Sequence, residues 1–469
     1  MALRALKAWP FWAYNLFFHL ALPIVAAKLC IRWRQRGSLE GGWRERLGLM
    51  PEAAKALRRS GEPVVWVHAV SVGEVSAAAS IIAALRCAAP LAQVILSTTT
   101  PTGRAEAERR GVDVDAMVYL PLDFPLAVWR ALADVRPTVF CTIDSELWPN
   151  MISLAQARGT RVAVANARLS DRTMRAARAL RFHFGWVLRN VDLVLAQSVG
   201  EAARFVELGA PRERVQVMGN SKFDEAFPEV GAAETAKLLQ EMGLSREVPV
   251  LLAGSTREGE EAMLLEVLEG LRLSHQRLQL VVAPRHRERA SEVVELVRAR
   301  GYRPLLRTEQ LGRREAGESA IRAEDHCEDC VVIVDTMGEL ARLYALAEVV
   351  FVGGSLVPWG GHNVLQPMAQ AKPVVVGPYT HNFRDLVALA LEAQAIVQVQ
   401  NAEELREVIA RLLGSPEERQ LLGLRGLRVI SENQGASVRA AEALADLAQV
   451  RGPAETEPAP EPAPAHPFA

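Results

Sequence analysis

Cysteine is scarce: five residues in 469, at positions 30, 87, 141, 327 and 330. That number and scatter exclude a disulfide-framed fold and suit a reducing compartment. Cys327 and Cys330 form one CxxC inside HCEDC, but no second pair exists to complete a tetrahedral zinc site. The segment therefore reads as a polar loop carrying two thiols. Charge imbalance is also lacking. Fifty-four Lys and Arg against 55 Asp and Glu leave a net charge of −1. This argues against a nucleic-acid binder held by phosphate contacts. Short-period repeats are absent. Asp113-Val114-Asp115 resembles a DxD metal pair but sits in a charged, irregular segment and is set aside, so no metal site is expected.

What is present begins with an uncharged run from Ala8 to Ala27 that holds Trp9, Phe11, Trp12, Tyr14, Phe17 and Phe18. Its length suits one membrane crossing of about 20 residues. Lys28, Arg32, Arg34 and Arg36 follow, which by the positive-inside rule leaves the rest of the chain in the cytoplasm. Pro10, Asn15, His19 and Pro23 interrupt the run, so a helix lying in the membrane surface is the alternative. Pro453 to Ala469 is a Pro/Ala/Glu-rich tail, expected to be disordered.

Between these ends the pattern alternates strand and helix. Strand signals occur at Val64–Val70, Val94–Thr98, Val118–Leu120, Thr138–Ile143, Arg161–Ala165 and Val191–Leu195. A second series runs through Val248–Ala253, Leu278–Val282, Val331–Val334, Val349–Val352, Val374–Val376 and Ile396–Val399. Alternation of this kind makes a parallel sheet covered on both faces. The expected organisation is α/β, two Rossmann-like doubly wound domains facing a cleft. An anchor and basic flank would occupy 1–36, the first domain 37–226, a link 227–247, the second domain 248–450 and the tail 451–469. Arg307 to Cys330 reads as a charged surface insertion.

The stretch from Val350 to Asn382 is the most informative. A strand meets Gly353-Gly354, then Gly360-Gly361, and helical spacing returns from Val364 to Ala371. Glycines let a backbone approach a ligand closely, and a helix N-terminus offers N–H groups to an anion. The combination points to a nucleotide-sugar site. Elsewhere the strand ends carry the candidates. Ser71-Val72-Gly73-Glu74 reads either as a capping box or as a general base at a strand tip. Asp144 to Asn150 is an acidic strand end, and Lys222 in Gly219–Asp224 is a cation able to neutralise a carboxylate or phosphate. Arg285, after Pro284, suits a phosphate, and Asp335 to Glu339 could meet a ligand through backbone N–H groups.

Taken together, HAVSVGEV, TTTPTG, ELWPN, NARLS, GNSKFD, AGSTREGE, APRH, DTMGEL and FVGGSLVPWGGHN resemble the 3-deoxy-D-manno-octulosonic acid (Kdo) transferases of lipopolysaccharide synthesis. The similarity runs from the N-terminal run to about residue 440. The resemblance implies a GT-B fold and an inverting, metal-independent transfer from CMP-Kdo to a lipid A precursor at the cytoplasmic face of the inner membrane, with no cofactor. It implies Glu74 as general base, Asp144 and Lys222 as transition-state stabilisers, and CMP contacts from Pro284, Arg285, Met337, Gly338, Glu339, Asn363, Val364, Leu365 and Gln366. Two positions depart from the family pattern. Asp144 replaces the first glutamate of ETELWPN, and Gln366 replaces the glutamate of NPLEP. The alternatives are another membrane-associated GT-B enzyme using a UDP-sugar, and a non-catalytic membrane-anchored lipid- or nucleotide-binding protein.

Overall fold

The computed structural model describes residues 10–16, 20, 42–225, 227–273, 277–315 and 329–449. Most of the expected anchor run and its basic flank, Cys30, Cys327 and the tail 451–469 lie outside the described residues. The chain divides into two compact units, one running up to Glu225 and resuming at Gln434, the other spanning Ala226–Asn433.

The first unit holds a seven-stranded parallel sheet. Its strands are β1 (Val64–His68), β2 (Gln93–Thr98), β3 (Ala116–Tyr119), β4 (Val139–Ile143), β5 (Arg161–Ala167), β6 (Leu193–Ala196) and β7 (Val215–Val217). Their order is β3-β2-β1-β4-β5-β6-β7. β1, β4 and β6 are buried at every position. Strands covered on both faces read as unbroken apolar runs, which is why these were legible. Trp66 and Phe140 meet edge to face, with centroids 5.9 Å apart, inside one core layer.

The second unit repeats the design with β8 (Val250–Thr256), β9 (Gln279–Pro284), β10 (Arg303–Leu306), β11 (Cys330–Ile333), β12 (Val349–Val352), β13 (Val374–Val376) and β14 (Ile396–Gln398). Their order is β10-β11-β9-β8-β12-β13-β14. In both sheets the direction of strand addition reverses beside the first strand, between β1 and β4 and between β8 and β12. Crevices at such reversals, outside the carboxyl ends of the strands, are where open α/β sheets bind ligands.

Four expectations need correction. The stretch 227–247 holds the helix Ala232–Glu241 within the second unit. The second unit ends at Asn433, short of residue 450, because the helix Ala436–Leu447 packs on the first sheet's core beside the helix Val72–Ala88. Its small buried face, Ala436, Ala440, Ala441 and Ala445 around Leu444, allows close approach. Both oxygens of Asp224 accept hydrogen bonds from the N–H groups of Gly435 and Ser437, pinning the start of that helix. Finally, the charged segment from Arg307 opens with the helix Arg307–Glu315, and Arg307 is buried between Glu241 and Glu339 at 3.2 and 3.1 Å rather than solvated. Cys330 heads β11 and is disulfide-bonded where a free thiol was expected.

The described part of the N-terminal run is helical at residues 10–16. Phe11 lies in the first core, and Asn15 exchanges amide hydrogen bonds with Asn150 at 2.9 Å in each direction. Tyr14 donates to Asp123 at 2.9 Å. Trp12, Leu16 and Leu20, four residues apart, are exposed. Among the described residues no helix is long and apolar enough to cross a membrane.

Candidate functional site

In the first unit, the helix Val72–Ala88 begins directly after β1 and carries Glu74 in its first turn. The expected capping box does not form as such. Ser71 makes no side-chain cap; its hydroxyl donates to Glu74 at 3.0 Å, and the Val70 N–H donates to the other carboxylate oxygen at 2.7 Å. The carboxylate thus folds back over the turn, half-buried at the strand tip. Burial raises its pKa above the ordinary carboxylate value, and the charge of Asp144 adds to the rise; the Val70 N–H, Ser71 and Arg168 oppose it. A carboxylate moved in that direction is a better proton acceptor near neutral pH.

Asp144 directly follows β4, at the same strand-order reversal, with a left-handed φ of 61°. It accepts from the Asn166 amide at 2.7 Å and pairs with Arg168 at 3.2 Å. Glu146, two residues on, is pushed up to about 7 by burial first and then by the Glu74 and Asp144 charges. It lines a cavity of about 340 Å³ between the Ser145–Pro149 loop and Tyr14, His183, Phe184 and Val187. Lys222 lies in the 3-10 turn Ser221–Asp224, capped by Asn220. Burial moves its ammonium pKa down, Arg168 adds to this, and Asp144 and Glu225 act the other way. Glu74, Asp144 and Lys222 therefore lie in one electrostatic neighbourhood.

Sequence reasoning missed the residue that ties Asp144 to the turn carrying Lys222. Asn166 is fully buried at a bulge in β5, where the register to β6 shifts, and has φ 54°. Asn is among the few side chains that adopt this backbone readily. Its amide nitrogen donates to Asp144, and its oxygen accepts the Ser221 N–H at 3.1 Å. One side chain therefore sets the acid of β4 and the turn that carries Lys222. The NARLS motif flagged the segment, but nothing local marked which residue mattered.

In the second unit the organising group is Glu260, also missed. Fully buried at the start of the helix Glu260–Arg272, it accepts N–H bonds from Arg257 (2.9 Å), Gly354 (2.7 Å), Ser355 (3.0 Å) and Leu356 (2.9 Å). It thereby shapes the glycine loop after β12. A Cβ on Gly353 would lie 2.6 Å from the Thr256 backbone, and Gly354 has φ 69° with the His362 ring 3.0 Å from where a Cβ would stand. Both positions need glycine.

Around this loop cationic groups gather. Pro284 ends β9, and Arg285 follows it, exposed. Met337 and Gly338 form an exposed turn after β11, Gly338 with φ 88°. Glu339 is held by buried Arg307 and by the Thr336 hydroxyl, so its carboxylate is already paired. Asn363 accepts the Leu365 N–H at 2.9 Å, starting the short helix Leu365–Ala369. Val364 and Leu365 are buried, while the side-chain amide of half-buried Gln366 makes no hydrogen bond among the described residues. These expected donor contacts all sit at the carboxyl end of one sheet. Asp113 and Asp115 are structural: both pair with Arg86, and Asp115 also accepts the Val94 N–H. Among the described residues no cluster of three His, Cys, Asp or Glu could hold a metal ion.

The sequence profile of the 3-deoxy-D-manno-octulosonic-acid transferase (kdotransferase) family matches residues 41–225. A 3-deoxy-D-manno-octulosonic acid transferase of Bordetella pertussis is 34% identical over 426 residues, covering 88% of this chain and 94% of its own. The Haemophilus influenzae protein of the same name is 32% identical over 381 residues, covering 80% and 85%. By structure, the UDP-GlcNAc 2-epimerase of Neisseria meningitidis, bound to UDP-GlcNAc, superposes with a TM-score of 0.54 at 11% identity over 82% of this chain and 99% of that one. That likeness concerns the fold alone, two Rossmann-like sheets of GT-B type.

Proposed function

The chain belongs to the 3-deoxy-D-manno-octulosonic acid transferase family, and from that premise we propose that it moves Kdo from CMP-Kdo to a glucosamine hydroxyl of a lipid A precursor, lipid IVA, with release of CMP. The family transfers Kdo in the synthesis of the lipopolysaccharide core, and this chain is accordingly a glycosyltransferase. The acceptor oxygen forms a bond to the anomeric carbon as the bond from that carbon to the CMP phosphate oxygen breaks. Glu74 takes the hydroxyl proton, and the electron pair of the broken bond leaves on CMP. The observation that carries this reading is the geometry of Glu74: a half-buried carboxylate at a strand-order reversal, with its pKa raised and Asp144 and Lys222 in the same field. Asp144 and Lys222 act on the charge developing during transfer.

The donor is bound by the strand ends of the second unit, from Pro284-Arg285, Met337–Glu339 and Asn363–Gln366. The reaction we propose is metal-independent, as the family resemblance implies. Purified protein incubated with CMP-Kdo and lipid IVA should increase the acceptor mass by Kdo, with or without EDTA. No mass increase overturns the reading, and loss on chelation restored by Mg²⁺ overturns its metal-independent form.

The exposed stripe Trp12, Leu16 and Leu20 supports a location at the surface of the inner membrane, because Phe11 and Asn15 on the same helix are committed to the first unit's core. Replacing Trp12 and Leu16 by Glu should lower binding to anionic vesicles without unfolding the protein. Unchanged flotation with the vesicles would mean that another surface binds.

A further inference from the structure

We propose that Arg257 binds the carboxylate of the donor's acidic sugar, beside Arg285 on its phosphate, and so makes the site specific for a sugar acid. The inference rests on the donor proposed above. It starts from register. Thr256 at the end of β8 stands opposite Pro284 at the end of β9, and the Arg285 N–H donates to the Thr256 carbonyl at 3.0 Å. The next residues in the two strands are Arg257 and Arg285. Ser255, with φ 58°, is the extra residue of a bulge in β8. Bulges of this kind re-aim the side chains that follow them. Two arginines are thereby set side by side where two parallel strands end.

No ion pair reaches either arginine among the described residues, although arginines elsewhere in the chain are paired repeatedly. The nearby acid, Glu260, is consumed by four backbone N–H groups. Arg257 is instead braced by an indole ring and two imidazoles. Its guanidinium lies 4.5 Å from the centre of the Trp359 ring. Its Nε donates to His362 Nε2 at 3.3 Å, and its Nη1 meets His286 Nε2 at 2.9 Å. Burial, followed by the charges of Arg257 and Arg285, pushes His362 down to about 4, so it accepts rather than adding charge. Like charges held together without a counter-ion are unfavourable unless an anion joins them. Trp359 is half-exposed, so the place is open to a ligand.

The chemistry of the donor fits two adjacent cations. In an activated 2-ulosonic acid the anomeric carbon carries both the carboxylate and the phosphate oxygen, so two anions diverge from one atom. Neighbouring strands lie about 4.8 Å apart, a spacing that lets one arginine take each anion. Guanidinium suits carboxylate and phosphate alike through paired N–H bonds. A nucleotide bearing a neutral sugar would leave Arg257 without a partner, which is a basis for rejecting it.

The test compares the full substrate with the nucleotide alone. In Arg257→Met, the KM for CMP-Kdo should rise about 10- to 100-fold, the worth of a charge-assisted contact. The inhibition constant of CMP, which lacks the carboxylate, should change less than about threefold on the same scale. Arg257→Lys should fall between, and serves for the same comparison if Arg257→Met fails to fold. A parallel rise in both constants would make Arg257 a phosphate ligand and overturn the inference. No rise in either would make it a structural brace and overturn it too. Absence of Kdo transfer by the unmodified protein would sink the donor assignment itself, whereas transfer with parallel losses sinks only this step.

Discussion

The two units share a sheet plan and differ in what they place at the strand-order reversal. In the first, the segments that follow β1 and β4 carry the carboxylates Glu74, Asp144 and Glu146, and burial, then the charge of neighbouring acids, raises the pKa of Glu74 and Glu146. In the second, β8 and β9 are followed by Arg257 and Arg285, and the nearby carboxylate of Glu260 is spent on backbone N–H groups. Each sheet also carries a one-residue bulge with a non-glycine left-handed residue, Asn166 in β5 and Ser255 in β8. The shared scaffold thus aims side chains in both units, and the sign of the charge decides what each can do. The acid-rich end is suited to taking a proton, and the cation-rich end to holding anions.

The sharpest way to break this contrast is at Glu74. Glu74→Gln and Glu74→Ala should lower kcat by about 10² or more, as loss of a general base does. CMP binding, a property of the other unit, should be unchanged. If Glu74→Gln turns over at near-normal rate, the carboxylate merely organises the Val70–Ser71 turn, and the acid-rich end has lost its proposed role.

Asn166 tests whether the acid and the lysine act as a set. Asn166→Asp keeps the size and the tolerance of a left-handed backbone but replaces a donor to Asp144 with a second negative charge. The lost contact is a hydrogen bond to a charged group, about 1.5–3 kcal/mol, or roughly 10- to 100-fold if expressed in the transition state. We expect kcat to fall within that range and the acid limb of the pH–rate profile to move upward, since added negative charge favours protonated carboxyls. A normal kcat and an unmoved limb would reduce Asn166 to a packing residue.

Much of this was legible in sequence, for physical reasons that also explain the gaps. Buried parallel strands announce themselves as β-branched runs, and twelve were read that way. The two that were missed, β7 and β10, are sheet edges: β7 has three residues, two of them exposed, and β10 contains Pro304. Proline is tolerated at an edge but argues against a strand when read locally. Glu74, Asp144 and Lys222 were picked out by the family motifs that carry them, SVGE, DSELWPN and GNSKFD. Asn166 and Glu260 were not, because their roles depend on hydrogen bonds to residues 22, 55 and 94 positions away. The return of the last helix to the first unit was invisible for the same reason: an apolar helical face does not name its partner.

A smaller effect separates the two ends by pH. Glu146 has its folded pKa raised to about 7. Between its ordinary value and about 7 the folded state holds more protons than the unfolded one, so this group's contribution to stability falls as pH rises through that window. Glu146→Gln removes the penalty. It should leave stability at pH 4 nearly unchanged and raise it at pH 8 by roughly 1–2 kcal/mol, after discounting for partial exposure. Urea unfolding at both pH values decides it. An equal effect at the two would show that Glu146 is not strained by its charged neighbours.

The smallest effect concerns the donor end. Among the described residues the side-chain amide of half-buried Gln366 makes no hydrogen bond, so it is available to a ligand. If it meets the ribose, a glutamate there would accept from both hydroxyls with charge assistance, where glutamine has one oxygen to offer. The difference between a charged and a neutral hydrogen bond is about 1 kcal/mol, or several-fold in Kd. Gln366→Glu should therefore tighten CMP and lower the KM for CMP-Kdo, with kcat changed less because the ribose is remote from the bond being broken. Glu339, the acid expected to resist an added carboxylate, is paired with Arg307 at 3.1 Å, a cation it shares with Glu241, so its repulsion is reduced and should not cancel the gain. The cation-rich character of this end works in the same direction, since an extra carboxylate is less costly near uncompensated arginines. Calorimetric titration of CMP into both proteins measures the change. Unchanged or weaker binding by the glutamate variant would mean that the ribose contact does not lie at position 366, and that binding of the nucleotide here rests on its phosphate.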